Sequence, residues 1–163
     1  MAERILVPLD GSSLGEAALE YLNTFIANTC PEKKVTVILF HVVFSPSQHL
    51  GEYYDVDAYG AGSLYSTPGG TEPLDKLMKN AQLYLARAAK KISSRYAEVK
   101  TEVAEGNDPA VEIIKKEAEL ECDLVVMSTH GRSGLSRWAF GSVTDKVLRG
   151  GSAPVLMVRA QDT

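Results

Sequence analysis

Residues 123–144 read DLVVMSTHGRSGLSRWAFGSVT, and this stretch changes character twice. An apolar run from Leu124 to Met127 is typical of a buried strand, and it stops at small and polar residues. A segment rich in Ser, Gly and Arg follows, in which Arg132 adds positive charge, and Gly141 then precedes a helical pattern. The order of strand, glycine loop and helix start predicts an anion site. Glycines admit a phosphate close to the backbone, and the first amides of a helix point at it.

Other interpretations of this stretch stay open. Glycine loops that follow strands often only turn the chain. Ser142 is placed either to cap the following helix or to bond a phosphate oxygen. The spacing excludes two common phosphate motifs, because no Gly-Lys-Ser/Thr follows a four-residue gap and the glycines at 131, 134 and 141 do not fit the dinucleotide-binding pattern.

The same stretch resembles the nucleotide loop of the universal stress protein family. The family pattern has two glycines separated by two residues, then nine residues, and then a Gly-Ser/Thr pair. Gly131 and Gly141-Ser142 match this pattern, and Ser128 departs from it at the position of the first glycine. Further segments similar to the family occur in order along the chain: RILVPLDGS at 4–12, LFHVV at 39–43, GNDPA at 106–110 and APVLMV at 153–158.

The composition indicates one globular domain. A chain of 163 residues is long enough to bury a core, and we expect a single domain over residues 1–163. The net charge of −4 and the lack of a basic run argue against a nucleic-acid partner. The sequence has neither the pattern of a signal peptide nor an apolar segment that could span a bilayer. We therefore expect a cytoplasmic protein with no membrane partner.

Strand and helix patterns alternate along the chain. Apolar runs predict strands at 5–9, 35–43, 124–127 and 154–158, and an alternating pattern predicts another at 99–103. Helix starts are predicted at Ser12 or Ser13, at Leu74, at Asp108-Pro109 and at Gly141-Ser142.

Three further expectations concern the third helix, a histidine in the second strand and the segment between the second strand and the second helix. Ile113, Ile114 and Ala118 are expected to face inward from the third helix. His41 lies within the second strand and is interpreted as a core or strand-end histidine. Residues 44–72 contain Pro, Ser, Gly and four tyrosines with no usable period, and they are predicted to form a flexible insertion loop that either covers the site or has no role.

The alternation predicts an α/β fold with a doubly wound parallel sheet of five strands and helices on both faces. The resemblance implies the strand order 3-2-1-4-5 and a Rossmann-like fold of the adenine nucleotide alpha hydrolase type. In that order the connections after the first and fourth strands diverge and leave a crevice at the carboxyl ends of these strands. Asp10 ends the first strand and the glycine loop follows the fourth, so both should open onto this crevice.

The candidate site combines these signals. The carboxylate of Asp10 suits a ribose hydroxyl or a Mg²⁺ ion bound through phosphates, and its alternative role is to cap the following helix. His130 is placed either to bond a phosphate or to anchor its loop. Ser128 adds a Cβ that either weakens nucleotide binding or brings a hydroxyl ligand. The resemblance implies a nucleotide site made of Pro8, Leu9, Asp10, Val42, Met127, Ser128, His130, Gly131, Arg132, Gly141, Ser142, Val143 and Thr144.

Three functions follow from the sequence. The resemblance favours an ATP-binding regulatory protein of the stress response, which signals through nucleotide-dependent conformation and forms a homodimer through the last strand, Pro154–Val158. The departure at Ser128 motivates a dimeric scaffold of the same fold that binds no nucleotide. The third is an enzyme, but the sequence holds no nucleophile elbow, zinc-binding helix motif or Cys/His cluster, so we expect at most weak ATP hydrolysis.

Overall fold

Strands and helices alternate in the computed structural model, which describes residues 3–29, 32–44, 73–93, 95–129 and 141–160. These residues form five strands and four helices. The strands are β1 (Arg4–Pro8), β2 (Val35–Val43), β3 (Ala97–Glu105), β4 (Leu124–Thr129) and β5 (Val155–Arg159), and the helices are α1 (Ser13–Thr29), α2 (Leu74–Ala89), α3 (Pro109–Glu119) and α4 (Ser142–Gly150).

The five strands form one parallel sheet in the order β3-β2-β1-β4-β5. β1 lies at its centre, where Leu6 is opposite Ile38 of β2 on one side and Val125 of β4 on the other. The predicted fold class and strand order are therefore confirmed. The chain moves outward from β1 in one direction and returns to build β4 and β5 in the other, which is the topology that leaves a crevice between the two halves.

Each face of the sheet is covered by one pair of helices. Ile5 and Val7 of β1 belong to a core formed with α1 and α2. Leu6, which lies between them, belongs to a second core that includes Ile113 of α3 and Val147 of α4. Successive side chains of a strand point to opposite faces, so a strand covered on both faces must be apolar at nearly every position. This requirement explains the unbroken apolar runs of β1 and β2.

β4 is longer than its apolar run predicts. The strand continues past Met127 through Thr129, and Ser128 lies opposite Val158 in the register with β5. The polar residues stay in the sheet because β5 supplies partners for their backbone groups. Ser128 consequently belongs to a strand and not to the loop that follows it.

The buried face of α3 also differs from the prediction. Ile113 and Glu117 are buried, whereas Ala118 is exposed. Residues four apart share a helix face, so the stripe that contains Ile113 continues at position 117. The carboxylate is held inside because Oε1 of Glu117 accepts hydrogen bonds from the backbone N–H groups of Ser152 (2.6 Å) and Ala153 (2.5 Å).

Some predictions lie outside the described residues. Of the insertion predicted at 44–72, only Phe44 is described. His130, Gly131 and Arg132 also lie outside, with the rest of the glycine loop up to residue 140. In the part of the chain that the structure describes, no helix is both long and apolar enough to cross a membrane.

Candidate functional site

A cleft opens at the carboxyl ends of β1, β2 and β4. Its walls come from the ends of these strands and from the starts of α1, α3 and α4. The structure thus brings Asp10 and the start of α4 to one crevice. Ten of the thirteen predicted site residues are described, and all ten line this cleft: Pro8, Leu9, Asp10, Val42, Met127, Ser128, Gly141, Ser142, Val143 and Thr144.

The start of α4 is the part of the cleft that best suits an anion. Gly141 is the N-cap and Ser142 is the first helical residue, so Ser142 does not cap the helix. Gly141 has no side chain that could bond the amides of the first turn, and Ser142, Val143 and Thr144 all line the cleft. An anion placed here would gain hydrogen bonds from these amides and a favourable interaction with the helix dipole.

The other two helix starts at the cleft are closed by side chains of the protein. At α1, Oγ of Ser12 accepts a hydrogen bond from the backbone N–H of Gly15 at 2.9 Å. At α3, Oδ1 of Asp108 accepts one from the backbone N–H of Ala110 at 2.9 Å. Amides that are already bonded in this way have less to offer a ligand. The contrast singles out α4 among the described helix starts that border the cleft.

Gly141 leaves space that the described residues do not use. A Cβ added at Gly141 would meet no atom of these residues within 4 Å. The backbone angles, φ −54° and ψ 149°, are accessible to every residue type. Neither packing nor backbone strain in the described part of the chain therefore requires a glycine at this position. A glycine here leaves the backbone accessible to close approach by a ligand.

Asp10 is held in the wall of the cleft by a short chain of hydrogen bonds. Its Oδ1 accepts from the backbone N–H of Ser12 at 2.9 Å and from the Ser12 hydroxyl at 2.6 Å. Ser12 provides the cap of α1, and Asp10 supports the helix start through its bonds to Ser12. A Cβ on Gly15 would lie 2.5 Å from Oδ1 of Asp10, so the glycine leaves room for this arrangement.

One wall of the cleft is apolar. Val42 and Met127 belong to the core on the α3 and α4 face of the sheet, and Phe40, Pro109 and Ile113 extend the same wall. An apolar wall with a few polar groups beside it is typical of small-molecule sites, and it suits a flat aromatic ring.

Six residues of the lining are not part of the site predicted from the sequence: Leu14, Gly15, Phe40, Pro109, Ile113 and Thr129. Two of them, Pro109 and Ile113, belong to α3, which connects β3 at one edge of the sheet with β4 on the other side of β1. This long crossover brings them to the cleft. The Asp108-Pro109 helix start is visible in the sequence, but its place in the fold is not. Thr129 could have been found only by extending β4 past its apolar run.

The starts of α3 and α4 are joined by an ion pair. Nζ of Lys146 lies 2.7 Å from Oδ2 of Asp108. Partial burial acts to raise the pKa of the Asp108 carboxyl, but the hydrogen bonds from Lys146 and from the backbone of Ala110 outweigh it, and the pKa lies below its ordinary value. The carboxylate therefore stays charged at neutral pH and links the two helices that flank the cleft.

His41 is a buried core residue, as its position in the second strand predicts. The side chain is 2% exposed, and its Nδ1 lies 2.7 Å from the carbonyl oxygen of Leu9. Burial lowers the pKa of the imidazole below its ordinary value, against the opposing effects of the Leu9 hydrogen bond and the charge of Asp10. The ring is consequently neutral at pH 7.

The sequence profile of the universal stress protein family matches residues 1–159. The chain belongs to the universal stress protein family. Universal stress protein MJ0531 of Methanocaldococcus jannaschii is 28% identical to it over 158 residues, which cover 96% of this chain and 82% of the relative. Universal stress protein MJ0577 of the same organism is 27% identical over 164 residues, which cover 100% of this chain and 98% of the relative.

Solved structures show the same fold. The structure of MJ0577 aligns with a TM-score of 0.70 at 26% identity and covers 99% of this chain and 98% of its own. A universal stress protein from Archaeoglobus fulgidus, solved in complex with dAMP, aligns with a TM-score of 0.59 at 20% identity and covers 94% of this chain and 95% of its own. The second likeness is one of fold alone.

Ser128 stands where the universal stress protein pattern has its first glycine. The residue lies in β4 opposite Val158, so its backbone is extended. Among the described residues other than glycine, only Glu121 has a positive φ. Serine therefore fits the backbone at this position without strain.

Proposed function

We propose that this chain binds an adenine nucleotide, ATP, and acts as a regulatory protein of the stress response. The observation that carries the proposal is the meeting of three surfaces in one cleft: a helix start whose N-cap is glycine, a carboxylate and an apolar wall. These surfaces match the phosphates, the ribose and the base of a nucleotide. The Archaeoglobus fulgidus protein, which shares the fold, was solved in complex with dAMP, itself an adenine nucleotide.

The proposed roles follow from the chemistry of each surface. Backbone amides at the start of α4 bind phosphate oxygens, because they are donors beside the positive end of the helix dipole. The apolar wall covers the base, and backbone groups at the ends of β1 and β2 read its edge. His130, Gly131 and Arg132, which lie outside the described residues, complete the phosphate loop by resemblance to the family.

Asp10 has two candidate roles in this site, a bond to a ribose hydroxyl and a bond to Mg²⁺. Among the described residues, no group of three or more His, Cys, Asp or Glu side chains could hold a metal ion by itself. One carboxylate together with phosphate oxygens and water is nevertheless a usual set of ligands for Mg²⁺. The residues present thus fit a metal that arrives with the nucleotide.

Calorimetry with ATP tests both the site and the role of Asp10. We expect wild type to bind ATP and Asp10→Asn, which keeps an acceptor for Ser12 but loses the charge, to bind it more weakly. If Asp10 holds the ribose, the loss persists when EDTA removes Mg²⁺; if Asp10 holds Mg²⁺, the loss disappears in EDTA. Wild type that neither binds ATP nor carries a co-purified nucleotide, as judged by mass spectrometry, would contradict the proposal.

The regulatory part of the proposal depends on a second surface. β5 lies at one edge of the described sheet, and its residues Val155, Leu156 and Met157 are half-buried. The open backbone edge of such a strand is a template for pairing with a second copy. The proposal includes a cytoplasmic homodimer that pairs through Pro154–Val158 and changes with the bound nucleotide. Light scattering that gave a monomer at micromolar concentration would contradict this part.

Ser128 favours one alternative, a dimeric scaffold of the same fold that binds no nucleotide. Ser128 lines the cleft, and it carries a side chain where the family pattern has a glycine. Thermal denaturation with and without ATP separates the two functions, since a ligand that binds only the folded state raises its stability. The scaffold predicts no shift in melting temperature for wild type, and a restored shift in Ser128→Gly.

A further inference from the structure

His41 forms a hydrogen bond at the point where β1 leaves the sheet. The last backbone hydrogen bond between β1 and β2 runs from the N–H of Leu9 to the carbonyl oxygen of Phe40 at 2.8 Å. The next group along the chain, the carbonyl of Leu9, is bonded by the imidazole at 2.7 Å. The side chain of His41 thus continues the attachment of β1 to β2 by one step beyond the strand.

The direction of this hydrogen bond is fixed by its chemistry. A carbonyl oxygen only accepts, so Nδ1 of His41 carries the proton and donates to Leu9. The ring also packs against Tyr84 of α2, whose ring meets it edge to face with a centroid distance of 5.8 Å. Both side chains are buried, at 2% and 6% exposure, and close packing of this kind restricts the rotation of the imidazole.

The bond lies next to the proposed nucleotide site. Leu9 lines the cleft and is followed directly by Asp10, whose carboxylate is bonded to Ser12. The turn from Leu9 to Ser12 is therefore fixed at two points, by His41 at its start and by the bonds between Asp10 and Ser12 within it. Loss of the first point would let the chain leave the sheet at a different angle and carry the carboxylate with it.

We infer that His41 is a positioning residue for the nucleotide cleft, which fixes the Leu9 carbonyl and thereby sets the position of Asp10. This inference rests on the proposed function for its effect on binding. Its structural part, the control of the Leu9–Ser12 turn by an N–H donor at position 41, is independent of any ligand.

A matched pair of variants tests the donor. His41→Asn carries an N–H on the atom bonded to Cγ, as Nδ1 is, and keeps the bond to Leu9. His41→Leu is apolar and removes it. By calorimetry we expect the Kd of His41→Asn for ATP to lie within about threefold of the wild-type value. The Kd of His41→Leu should rise at least about tenfold, which is the effect of losing one hydrogen bond to a charged group. Ile26→Val, a mild core truncation in α1 away from the cleft, controls for lost stability and should bind as wild type does.

Hydrogen exchange provides a readout that needs no nucleotide. The amide of Ser12 donates to Asp10, so its exchange reports whether the turn is in place. The amide of Val37 in β2 serves as the reference. Relative to it, the Ser12 amide should exchange roughly tenfold faster in His41→Leu than in wild type, and at the wild-type rate in His41→Asn and Ile26→Val. Equal ATP binding by His41→Leu and wild type, or an equal loss in His41→Asn and His41→Leu, would overturn the inference. If wild type bound no ATP, the proposed function would fail, and an unchanged Ser12 exchange in His41→Leu would overturn this inference separately.

Discussion

Replacing Gly141 by alanine separates ligand binding from folding. The added Cβ meets no atom of the described residues within 4 Å, and φ −54° suits alanine. Replacing glycine by alanine lowers the conformational entropy of the unfolded chain, which stabilises the folded protein by about 0.4–1 kcal/mol. Alanine is a poorer N-cap than glycine, and this offsets part of the gain. We therefore expect the free energy of unfolding to change by less than about 1 kcal/mol.

Nucleotide binding should change much more in the same variant. A phosphate oxygen bonded to a first-turn amide lies about 2.7–3.2 Å from the nitrogen, so a methyl group at the N-cap competes for its space. Loss of one hydrogen bond to a charged group costs about 1.5–3 kcal/mol, which corresponds to a rise in Kd of roughly 10- to 100-fold. Calorimetry with ATP measures Kd, and denaturant unfolding of the same preparation measures stability.

Ser142→Ala is the matched control for this experiment. It removes a hydroxyl one position later in the chain but leaves every backbone amide of α4 in place, so its effect on Kd should be smaller than that of Gly141→Ala. Two results would refute the reasoning. Unchanged ATP affinity in Gly141→Ala would mean that no ligand approaches the backbone there, and a large loss of stability would mean that the space is not open.

Three further predictions concern stability. Glu117→Ala removes the buried carboxylate and leaves the amides of Ser152 and Ala153 without their acceptor. We expect the free energy of unfolding, measured with denaturant, to fall by roughly 3 kcal/mol, and by less than half of that in Glu117→Gln, which keeps an acceptor oxygen. Similar losses in both variants would contradict the account. Because the pKa of His41 is lowered in the folded protein, the unfolded chain binds a proton first as the pH falls below the ordinary value of 6.5. The stability of wild type should therefore decline below that pH, by at most about 1.4 kcal/mol per pH unit from this group. His41→Asn should remove this part of the slope, and parallel pH profiles of wild type and variant would show the assignment to be wrong. Glu121 has φ 49°, so Glu121→Gly should stabilise the protein by up to about 1 kcal/mol, and a lower melting temperature would argue against strain at this position.

Much of the fold could be predicted from local pattern, because a strand buried on both faces must be apolar throughout. β2 is predicted at its observed bounds, Val35–Val43, for this reason. The strand order is a different matter. Apolar runs do not say which strands are neighbours, and the order 3-2-1-4-5 followed from the resemblance to the family.

The errors have a common physical origin in groups whose partners are distant in sequence. Ser128 stays in β4 because β5 pairs with it, and Glu117 is buried because the turn before β5 supplies donors to its carboxylate. Neither partner is visible from the residue's own neighbours. Local pattern therefore predicts a loop at Ser128 and an inward-facing Ala118 in place of Glu117.

The candidate site divides in the same way. The glycine and the acidic strand end are local signals, and Asp10 and Gly141 do line one cleft. The contribution of α3 depends on a crossover from the edge of the sheet, so Pro109 and Ile113 could not be assigned to the cleft from the sequence. The role of His41 could not be predicted either, since its partner is a backbone carbonyl 32 residues away.

An NMR titration of the ¹⁵N-labelled protein with ATP tests the central claim most directly, because it observes the amides that should bind the phosphates. We predict large shifts for the amides of Val143 and Thr144 at the start of α4, and small shifts for the amide of Ala110, which is already bonded to Asp108. Saturating ATP that left the α4 amides unshifted, or that shifted the two helix starts alike, would contradict the account.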